Sequence, residues 1–323
     1  MYYLLLFLSL FLVINVYFRI ADHYNIIDKP NERSSHSNPT IRGGGILFFF
    51  GGLLSCFTTG FQFPYFLIGL LLIATISFID DIQTVASSIR LLIHLIAVLL
   101  LFYQLNLLTF PWWTWIITLI ITIGIINAYN FMDGINGITG GYSLAVLAGI
   151  WWVNNYQFAF IDNGFIYCIV LALLVFNFYN FRKKARCFAG DVGSVSIAFI
   201  LIFLLGKLIF ESGNIYYLLF LTLYGVDSVL TIIQRIYLRE NIFEAHRRHF
   251  YQVLANEGRV AHTNVALGYG IVQLIINAVI IFSIDHFRPN SRLAMVIVIL
   301  ILLTLVYISI KPRYIKKEKV IAA

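Results

Sequence analysis

Long apolar runs constrain this chain more than any other feature of its sequence. A bilayer core about 30 Å thick is crossed by a helix of about 20 apolar residues, and the backbone can cross only if its polar groups are satisfied internally. The sequence therefore predicts an all-α, polytopic integral membrane protein with about eleven transmembrane helices. We place them near residues 2–20, 43–60, 64–79, 89–105, 112–130, 138–153, 164–180, 191–209, 215–234, 263–283 and 293–310.

Composition excludes most soluble classes of protein. Hydrophobic residues make up 60% of the chain and charged residues only 11%, with a mean hydropathy of +0.88. A soluble domain carries about 25% charged residues. A soluble enzyme, a secreted disulfide scaffold and a nucleic-acid-binding protein are therefore poorly supported. The three cysteines form no CxxC pair that would indicate a zinc site.

The distribution of Lys and Arg predicts the orientation in the membrane. Apart from Lys207, Arg288 and Arg292, every basic residue lies in a loop after an odd-numbered run or in the C-terminal tail. Cytoplasmic loops are enriched in positive charge. We therefore expect the N-terminus outside, on the periplasmic side in a bacterium, and the C-terminus in the cytoplasm.

Polar residues collect in the loops of that same predicted cytoplasmic side. Ionisable groups at membrane helix ends are costly unless they pair or bind a ligand. The sequence therefore predicts a single transmembrane catalytic domain over residues 1–323 with one polar site at the cytoplasmic surface. The loops that would form it lie near residues 21–43, 80–90, 131–141, 181–194 and 235–262.

Two motifs in these loops carry carboxylates and amides. Asp80 and Asp81 are adjacent where the third run meets water, which by itself favours a hydrated helix-end pair; if the pair is sheltered, it favours a metal or an unusual pKa. In a second segment an amide or an acid recurs at every third position. If this segment is helical, the four side chains lie close to one face of the helix, and that face turns slowly about the helix axis. Its members are Asn127, Asn130, Asp133 and Asn136. The glycines that follow allow close approach of phosphate or nucleotide, and small-residue helix packing alone does not explain the amides and the acid.

Single carboxylates and a basic loop complete the set. Asp191, in Gly-Asp-Val-Gly-Ser, favours a metal ligand over a carboxylate that only opposes the helix dipole. Asp227 lies within an apolar run and indicates either a functional site or a structural hydrogen-bond partner. His246 and His249 flank two arginines, which favours phosphate contacts over zinc binding, with a solvated helix as the alternative.

The ordered motifs together resemble a known family. They are Pro39-Thr-Ile-Arg-Gly-Gly-Gly, Asp80-Asp81, Asn127-xx-Asn-xx-Asp133-Gly, Gly190-Asp-Val-Gly-Ser and His246-xx-His249. This order resembles the polyprenyl-phosphate N-acetylhexosamine-1-phosphate transferases of the glycosyltransferase family 4 type, which include phospho-N-acetylmuramoyl-pentapeptide transferase. The segment around the histidines looks like the subgroup that initiates O-antigen or capsular chains in lipopolysaccharide and cell-envelope synthesis.

The resemblance implies roles for residues at matching positions. Catalytic roles fall on Asp80, Asp81, Asp133, His246 and His249. Substrate-binding roles fall on Asn127, Asn130, Asn136, Arg42, Arg247 and Arg248. Ligands of Mg²⁺ or Mn²⁺ would be Asp191, Asp80 and Asp81. Two departures from the family pattern are Asn136, where the family commonly has Asp, and His-Arg-Arg-His in place of three histidines.

The reaction implied is the transfer of N-acetylhexosamine-1-phosphate, with 6-deoxy sugars included, from a UDP-sugar to undecaprenyl phosphate. UMP is released, as in the first membrane step of O-antigen, capsule or other envelope glycan synthesis. One phosphoanhydride replaces another, in keeping with the absence of a Walker A sequence. Direct attack by the lipid phosphate, helped by Asp80 or Asp81, is favoured. A two-step route through an aspartyl phosphate is left open.

The resemblance also implies partners and a location. The partners are a UDP-sugar, undecaprenyl phosphate and the lipid bilayer, with no nucleic acid, and a homo-oligomer is left open. The location is the bacterial inner (plasma) membrane, multi-pass, with the active site facing the cytoplasm. The alternative is a multi-span transporter or lipid flippase, for which Lys207 and Asp227 within apolar runs would argue.

Overall fold

The computed structural model describes residues 1–30, 39–242 and 246–321, and these residues are mostly helical. The described helices are α1 Tyr2–His23, α2 Ile46–Thr58, α3 Pro64–Ile82, α4 Ser87–Gln104, α5 Trp112–Met132, α6 Ile138–Tyr156, α7 Asn163–Asn180, α8 Gly190–Ser212, α9 Thr222–Tyr237, α10 Phe250–Ala255, α11 His262–His286 and α12 Pro289–Ile321. Residues 31–38 and 243–245, which belong to two of the predicted site loops, lie outside the described residues.

Each of the eleven apolar runs coincides with a helical segment. Nine helical segments of the described chain are long and apolar enough to cross a bilayer. Of the two remaining runs, α2 has only 13 residues, and α6 carries glycines in its first turn and asparagines in its last. The protein is a multi-pass membrane protein with an all-α fold, whereas the count of eleven spans and the orientation stay predictions.

The ninth run differs from the prediction of one continuous helix. Residues Ile215–Leu221 form a 3₁₀-helix, and α9 begins at Thr222. The 3₁₀ segment starts where the side chain of Asn214 accepts a hydrogen bond from the amide of Tyr216 at 3.1 Å. The tighter 3₁₀ winding changes the rise per residue and therefore the direction in which the following side chains point.

Helix α8 occupies the centre of the bundle and α12 its periphery. In the most apolar 18-residue stretch of α8, 83% of the residues are buried, because α2, α3, α5 and α6 all pack against this helix. In the corresponding stretch of α12 only 6% of the residues are buried, so most of its apolar surface can contact lipid. The backbone of α8 is therefore held in place by neighbouring helices, which fixes the position of the carboxylate in its first turn.

A short antiparallel hairpin, which the sequence did not predict, lies before α2. Its strands are β1 Ile27–Asp28 and β2 Thr40–Ile41. Ile41 also bridges to Cys187 in the segment that precedes α8, and the amide of Phe188 donates to the carbonyl of Ile41 at 2.8 Å. The hairpin thus ties the loop after α1 to the loop before α8, and it places Arg42 beside the start of α8.

Candidate active site

A polar cavity of about 240 Å³ opens among the helix ends at one end of the bundle, which we call the site end. The ends of α5 and α7 and the starts of α8 and α11 all contribute to its wall. Its lining residues are Asp28, Arg42, Asn130, Asp133, Gly134, Ile135, Asn136, Asn180, Phe188, Gly190, Asp191, Ser194, Gln252 and His262. Five of the predicted site residues therefore share one cavity: Arg42, Asn130, Asp133, Asn136 and Asp191.

Asp81 caps the start of α8. Its side chain is fully buried at the end of α3, and its two oxygens accept hydrogen bonds from the amides of Asp191 at 2.8 Å and Val192 at 3.0 Å. A carboxylate at a helix N-terminus is stabilised by the free amides and the helix dipole. Gly190 permits this approach: its φ is +72°, and a Cβ there would lie 2.5 Å from the Asp81 oxygen.

Asp191 lies between two guanidinium groups. Arg42 Nη2 is 3.3 Å from one of its oxygens and Arg90 Nη1 is 3.6 Å from the other. Arg42 also contacts Asp81 at 2.7 Å, and Arg90 contacts Asp80 at 2.5 Å. The two arginines therefore offset part of the repulsion among three carboxylates, and they hold Asp191 at the cavity wall.

The carboxylate cluster fits a cation that the substrate helps to bind. Among the described residues, no group of three or more His, Cys, Asp or Glu side chains is arranged to hold a metal ion alone. Mg²⁺ commonly takes one or two carboxylates and fills its other positions with water and phosphate oxygens. Asp191 lines the cavity, while the oxygens of Asp81 are used by amides. The metal-ligand roles of Asp80, Asp81 and Asp191 stay predictions.

Asp133 follows directly on α5 and is half-buried in the cavity wall. Its Oδ1 accepts a hydrogen bond from the hydroxyl of Thr139 at 2.6 Å. Burial raises the pKa of Asp133 to about 6, although the hydrogen bond from Thr139 opposes this shift. The carboxyl group therefore changes its protonation state close to physiological pH, as a group that accepts or holds a proton must.

The raised pKa of Asp133 gives a pH prediction. Ionised Asp133 is present above about pH 6, so kcat/KM should fall as the pH drops through that value. Because the Thr139 hydroxyl stabilises the charged form, Thr139→Val should move the acid limb to higher pH. The check is the pH profile of kcat/KM for both proteins; an acid limb that stays in place or moves to lower pH would disconnect it from Asp133.

Asn136 holds a neighbouring loop. The helical repeat that would place it with Asn130 ends at Met132, so Asn136 lies in the turn before α6. Its amide nitrogen donates to the carbonyl of Arg182 at 2.8 Å and to that of Lys183 at 3.3 Å. Its side chain is thus oriented by the loop between α7 and α8, and its predicted substrate contact stays a prediction.

Asn136→Asp is expected to lower activity even though Asp is the common family residue. An ionised carboxylate would face two carbonyl oxygens, and the loss of a buried donor costs about 1–3 kcal/mol. We expect roughly a tenfold or greater loss of turnover, because the loop that carries Phe188 and Gly190 shifts. Asn155→Asp, on the exposed far end of α6, is the matched control; equal rates for the two variants would contradict this view.

The His-Arg-Arg-His segment lies beside the cavity and outside its lining. Arg248 forms an ion pair with Glu240 at 2.5 Å, and Arg247 forms one with Glu257 at 3.5 Å. Burial lowers the pKa of His246 to about 4, so this ring is neutral near pH 7. The predicted phosphate contacts of the arginines would therefore require them to leave these glutamates, and those contacts stay predictions.

Nine of the fourteen lining residues were assigned no role from the sequence, and four of the nine are polar residues outside the family motifs. Asn180 is the clearest: its side chain accepts from the amide of Gly137 at 2.7 Å and donates to the carbonyl of Cys187 at 2.8 Å. A polar residue at the end of an apolar run was the available signal. The other three are Asp28, Gln252 and His262, which belong to no local motif that marks them as lining one cavity.

An apolar groove lies on the other face of α5. It consists of two adjoining cavities of about 390 and 430 Å³ between α5 and α9, both lined by Ile121, Ile125, Leu221, Gly225 and Val229. Asn127 and Phe131 line its site end. The structure therefore separates Asn127 from Asn130 and Asp133, contrary to the predicted shared face, and places it at the end of this groove.

Comparison with known proteins identifies the family. Residues 63–208 match the family described as Glycosyl transferase family 4. The resemblance to this family is thus shown for residues 63–208. The matched family 4 segment includes the two adjacent aspartates at the end of α3, the acid that follows α5 and the carboxylate that begins α8. The resemblance inferred from the sequence motifs is thereby confirmed.

Curated relatives are similar to this protein over most of the chain. A probable undecaprenyl-phosphate N-acetylglucosaminyl 1-phosphate transferase of Bacillus subtilis is 24% identical, over 81% of this chain and 78% of that protein. An undecaprenyl-phosphate alpha-N-acetylglucosaminyl 1-phosphate transferase of Escherichia coli K12 is 25% identical, over 84% and 80%. The protein of that name from Yersinia pestis is 25% identical, over 80% and 78%.

Proposed function

We propose that this protein transfers an N-acetylhexosamine-1-phosphate group from a UDP-sugar to undecaprenyl phosphate and releases UMP. The names of the family 4 relatives support the lipid acceptor and the sugar-phosphate group. The site would face the cytoplasm of a bacterial inner membrane, where nucleotide sugars are available, in agreement with the distribution of basic residues.

One observation carries this proposal: the end of α5 separates a polar cavity from an apolar groove. Asn130 and Asp133 face the cavity, while Asn127 and Phe131 face the groove. An enzyme that joins a water-soluble nucleotide sugar to a lipid phosphate needs both surfaces within reach of one reacting centre. The groove provides an apolar surface for an isoprenoid chain, and the cavity provides charged groups for a diphosphate.

The chemistry requires charge compensation more than proton transfer. An oxygen of the lipid phosphate attacks the β-phosphorus of the UDP-sugar, and the bond from that phosphorus to the bridging oxygen breaks, so that UMP leaves with the electron pair. Both reactants are anions and repel each other. Arg42, whose side chain is about one third exposed at the cavity wall, offers a positive charge to the diphosphate.

The carboxylates of the cavity would bind a divalent cation together with the substrate. Asp191 would hold Mg²⁺, because its carboxylate lines the cavity and its backbone is fixed by the cap from Asp81. When bound, Mg²⁺ supplies positive charge to the diphosphate oxygens. Asp133 accepts or holds a proton at its carboxyl oxygen near neutral pH.

The proposal extends to the class of sugar donor and to the class of pathway. We propose N-acetylhexosamines, 6-deoxy sugars included, as the donors, and the first membrane step of O-antigen, capsule or another envelope glycan as the role. Contacts from the cavity residues Asn180, Gln252 and His262 would distinguish one hexosamine from another, since these side chains offer both donors and acceptors.

The test is UMP release by the purified protein. With undecaprenyl phosphate, Mg²⁺ and a panel of UDP-N-acetylhexosamines, we expect release that requires the lipid, selects among the sugars and stops with EDTA. Restored activity after Mg²⁺ or Mn²⁺ is added back would show that EDTA acts by removing the metal. The lipid product should contain one sugar and two phosphates by mass spectrometry.

Two outcomes would contradict the proposal. Folded protein that releases no UMP with any donor would leave the transporter or flippase alternative. Release that persists in EDTA after extensive dialysis would remove the metal from the proposal while the transfer reaction stands. Protein heated above its unfolding transition is the blank, because it keeps the same detergent and lipid background.

A further inference from the structure

Asp227 is a buried carboxylate in α9 that the proposed chemistry does not use. It is 3% exposed. Its oxygens accept hydrogen bonds from the backbone amides of Phe250 at 2.8 Å and Tyr251 at 3.3 Å, and from the hydroxyl of Tyr269 at 2.7 Å. The first two donors are the opening amides of the short helix α10, so a membrane helix anchors the start of α10.

Thr231 is the fourth donor to Asp227: its hydroxyl donates to the carboxylate at 3.3 Å. Every group that hydrogen-bonds to Asp227 among the described residues is therefore a donor. An ionised carboxylate only accepts hydrogen bonds, so it suits an environment made entirely of donors. An amide of the same size does not, because its NH₂ group would face other N–H and O–H groups.

Helix α10 connects Asp227 to the last turn of α5. The hydroxyl of Tyr251 donates to the carbonyl of Phe131 at 2.8 Å, in the last turn of α5. Gly134 makes room for this contact, since a Cβ there would lie 2.2 Å from the Tyr251 oxygen. The ring of His249 packs 6.1 Å from that of Phe131. Gln252, the next residue of α10, lines the cavity.

We propose that Asp227 is a positioning residue for the transfer reaction. Its carboxylate docks α10 against the end of α5, and α10 in turn fixes His249 beside Phe131 and Gln252 in the cavity wall. Asp227 does not line the cavity, so it acts through α10 and has no contact with substrate. The kinetic test of this inference rests on the proposed function. The docking of α10 against the end of α5 can be measured without an activity assay.

The test is Asp227→Asn, read in two ways. Limited trypsin digestion of the purified protein measures cleavage at Arg247 and Arg248, which precede α10. We expect cleavage to become at least fivefold faster because the segment is no longer anchored. Steady-state kinetics should show kcat reduced at least tenfold, with KM for the lipid phosphate within twofold, since the groove between α5 and α9 keeps its lining. Asn277→Ala, a buried polar change in the outer half of α11, is the control for a general loss of stability.

A second variant tests the same link from its other end. Tyr251→Phe removes only the hydroxyl that reaches Phe131, and the double variant with Asp227→Asn should be no more than twofold worse in kcat than Asp227→Asn alone, because both changes break one connection. Unchanged trypsin cleavage in Asp227→Asn would overturn the proposal, as would an equal loss of kcat in Asn277→Ala. If the parent protein releases no UMP, the proposed function fails while trypsin still decides the docking.

Discussion

Asp191→Asn is expected to reduce transfer by about 10³-fold or more while the protein stays folded. The change keeps the size of the side chain and removes the one carboxylate of the cluster that lines the cavity at the start of α8. Loss of one preorganised charged group at a reacting centre costs about 10²–10³-fold, and loss of a metal ligand adds to this. The measurement is UMP release at saturating substrates, with thermal unfolding followed in parallel.

Asp162→Asn is the matched control for Asp191. Asp162 caps the opposite end of the bundle, where its side chain accepts from the amide of Gly164 at 2.7 Å at the start of α7. Both variants change a helix-start carboxylate to an amide, but only one of them lies in the cavity. Substantial residual transfer in Asp191→Asn would remove this residue from the proposed metal site.

Asp81→Asn is expected to lower both stability and activity. The Asp81 side chain is fully buried and accepts from two backbone amides and Arg42. An amide would keep one accepting oxygen, turn an NH₂ group toward a donor and leave Arg42 without its closest partner. Removing the buried member of a charged pair costs about 3 kcal/mol, which corresponds to a fall in melting temperature of roughly 4 °C for a chain of this length.

Asp80→Asn separates the adjacent carboxylates. Asp80 accepts from the amide of Val85 at 2.7 Å and pairs with Arg90, whose side chain is partly exposed, so water can replace part of what is lost. We expect a smaller fall in melting temperature for Asp80→Asn than for Asp81→Asn. Thermal unfolding in detergent measures the melting temperatures of both variants. Equal decreases would mean that the hydrogen bonds from the start of α8 to Asp81 add no more stability than the contacts of Asp80.

The helices could be predicted because the bilayer imposes them. A chain in lipid must satisfy every backbone polar group within its own helices, so apolar runs of sufficient length become helices whatever their detailed composition. The break in the ninth run was not predictable in this way, since hydropathy is blind to a change from 3₁₀ to α winding. The β1–β2 hairpin escaped prediction because its strands are two residues long and depend on a distant partner, Cys187.

The candidate site was predictable as a set of residue types on one side of the membrane. Carboxylates, amides and glycines occur in every second loop, and successive membrane spans place these loops at the same end of the bundle. Five residues of these loops line one cavity there: Arg42, Asn130, Asp133, Asn136 and Asp191. What each of them does in catalysis stays a prediction. The family itself could be inferred because the motifs keep their order along the chain, and the family 4 match confirms that inference.

The different contacts made by neighbouring residues could not be predicted. Asp80 and Asp81 are equivalent in the sequence, but successive residues of a helix point about 100° apart, so only one of them faces the start of α8. Arg247 and Arg248 were expected to be available for phosphate, whereas in the structure each pairs with a glutamate. Both glutamates lie in the same 235–262 segment as the arginines, but no spacing in that segment indicates which residues pair.

The wall of the cavity contains Asp28, from the segment that follows the first helix, and His262, which begins the eleventh. A ribosome must therefore synthesise most of the chain before the last wall residue emerges, and every intervening helix must have inserted before the two can meet. Nascent chains and premature termination products shorter than this have an incomplete cavity. Such fragments cannot form the complete cavity, which requires the chain as far as residue 262.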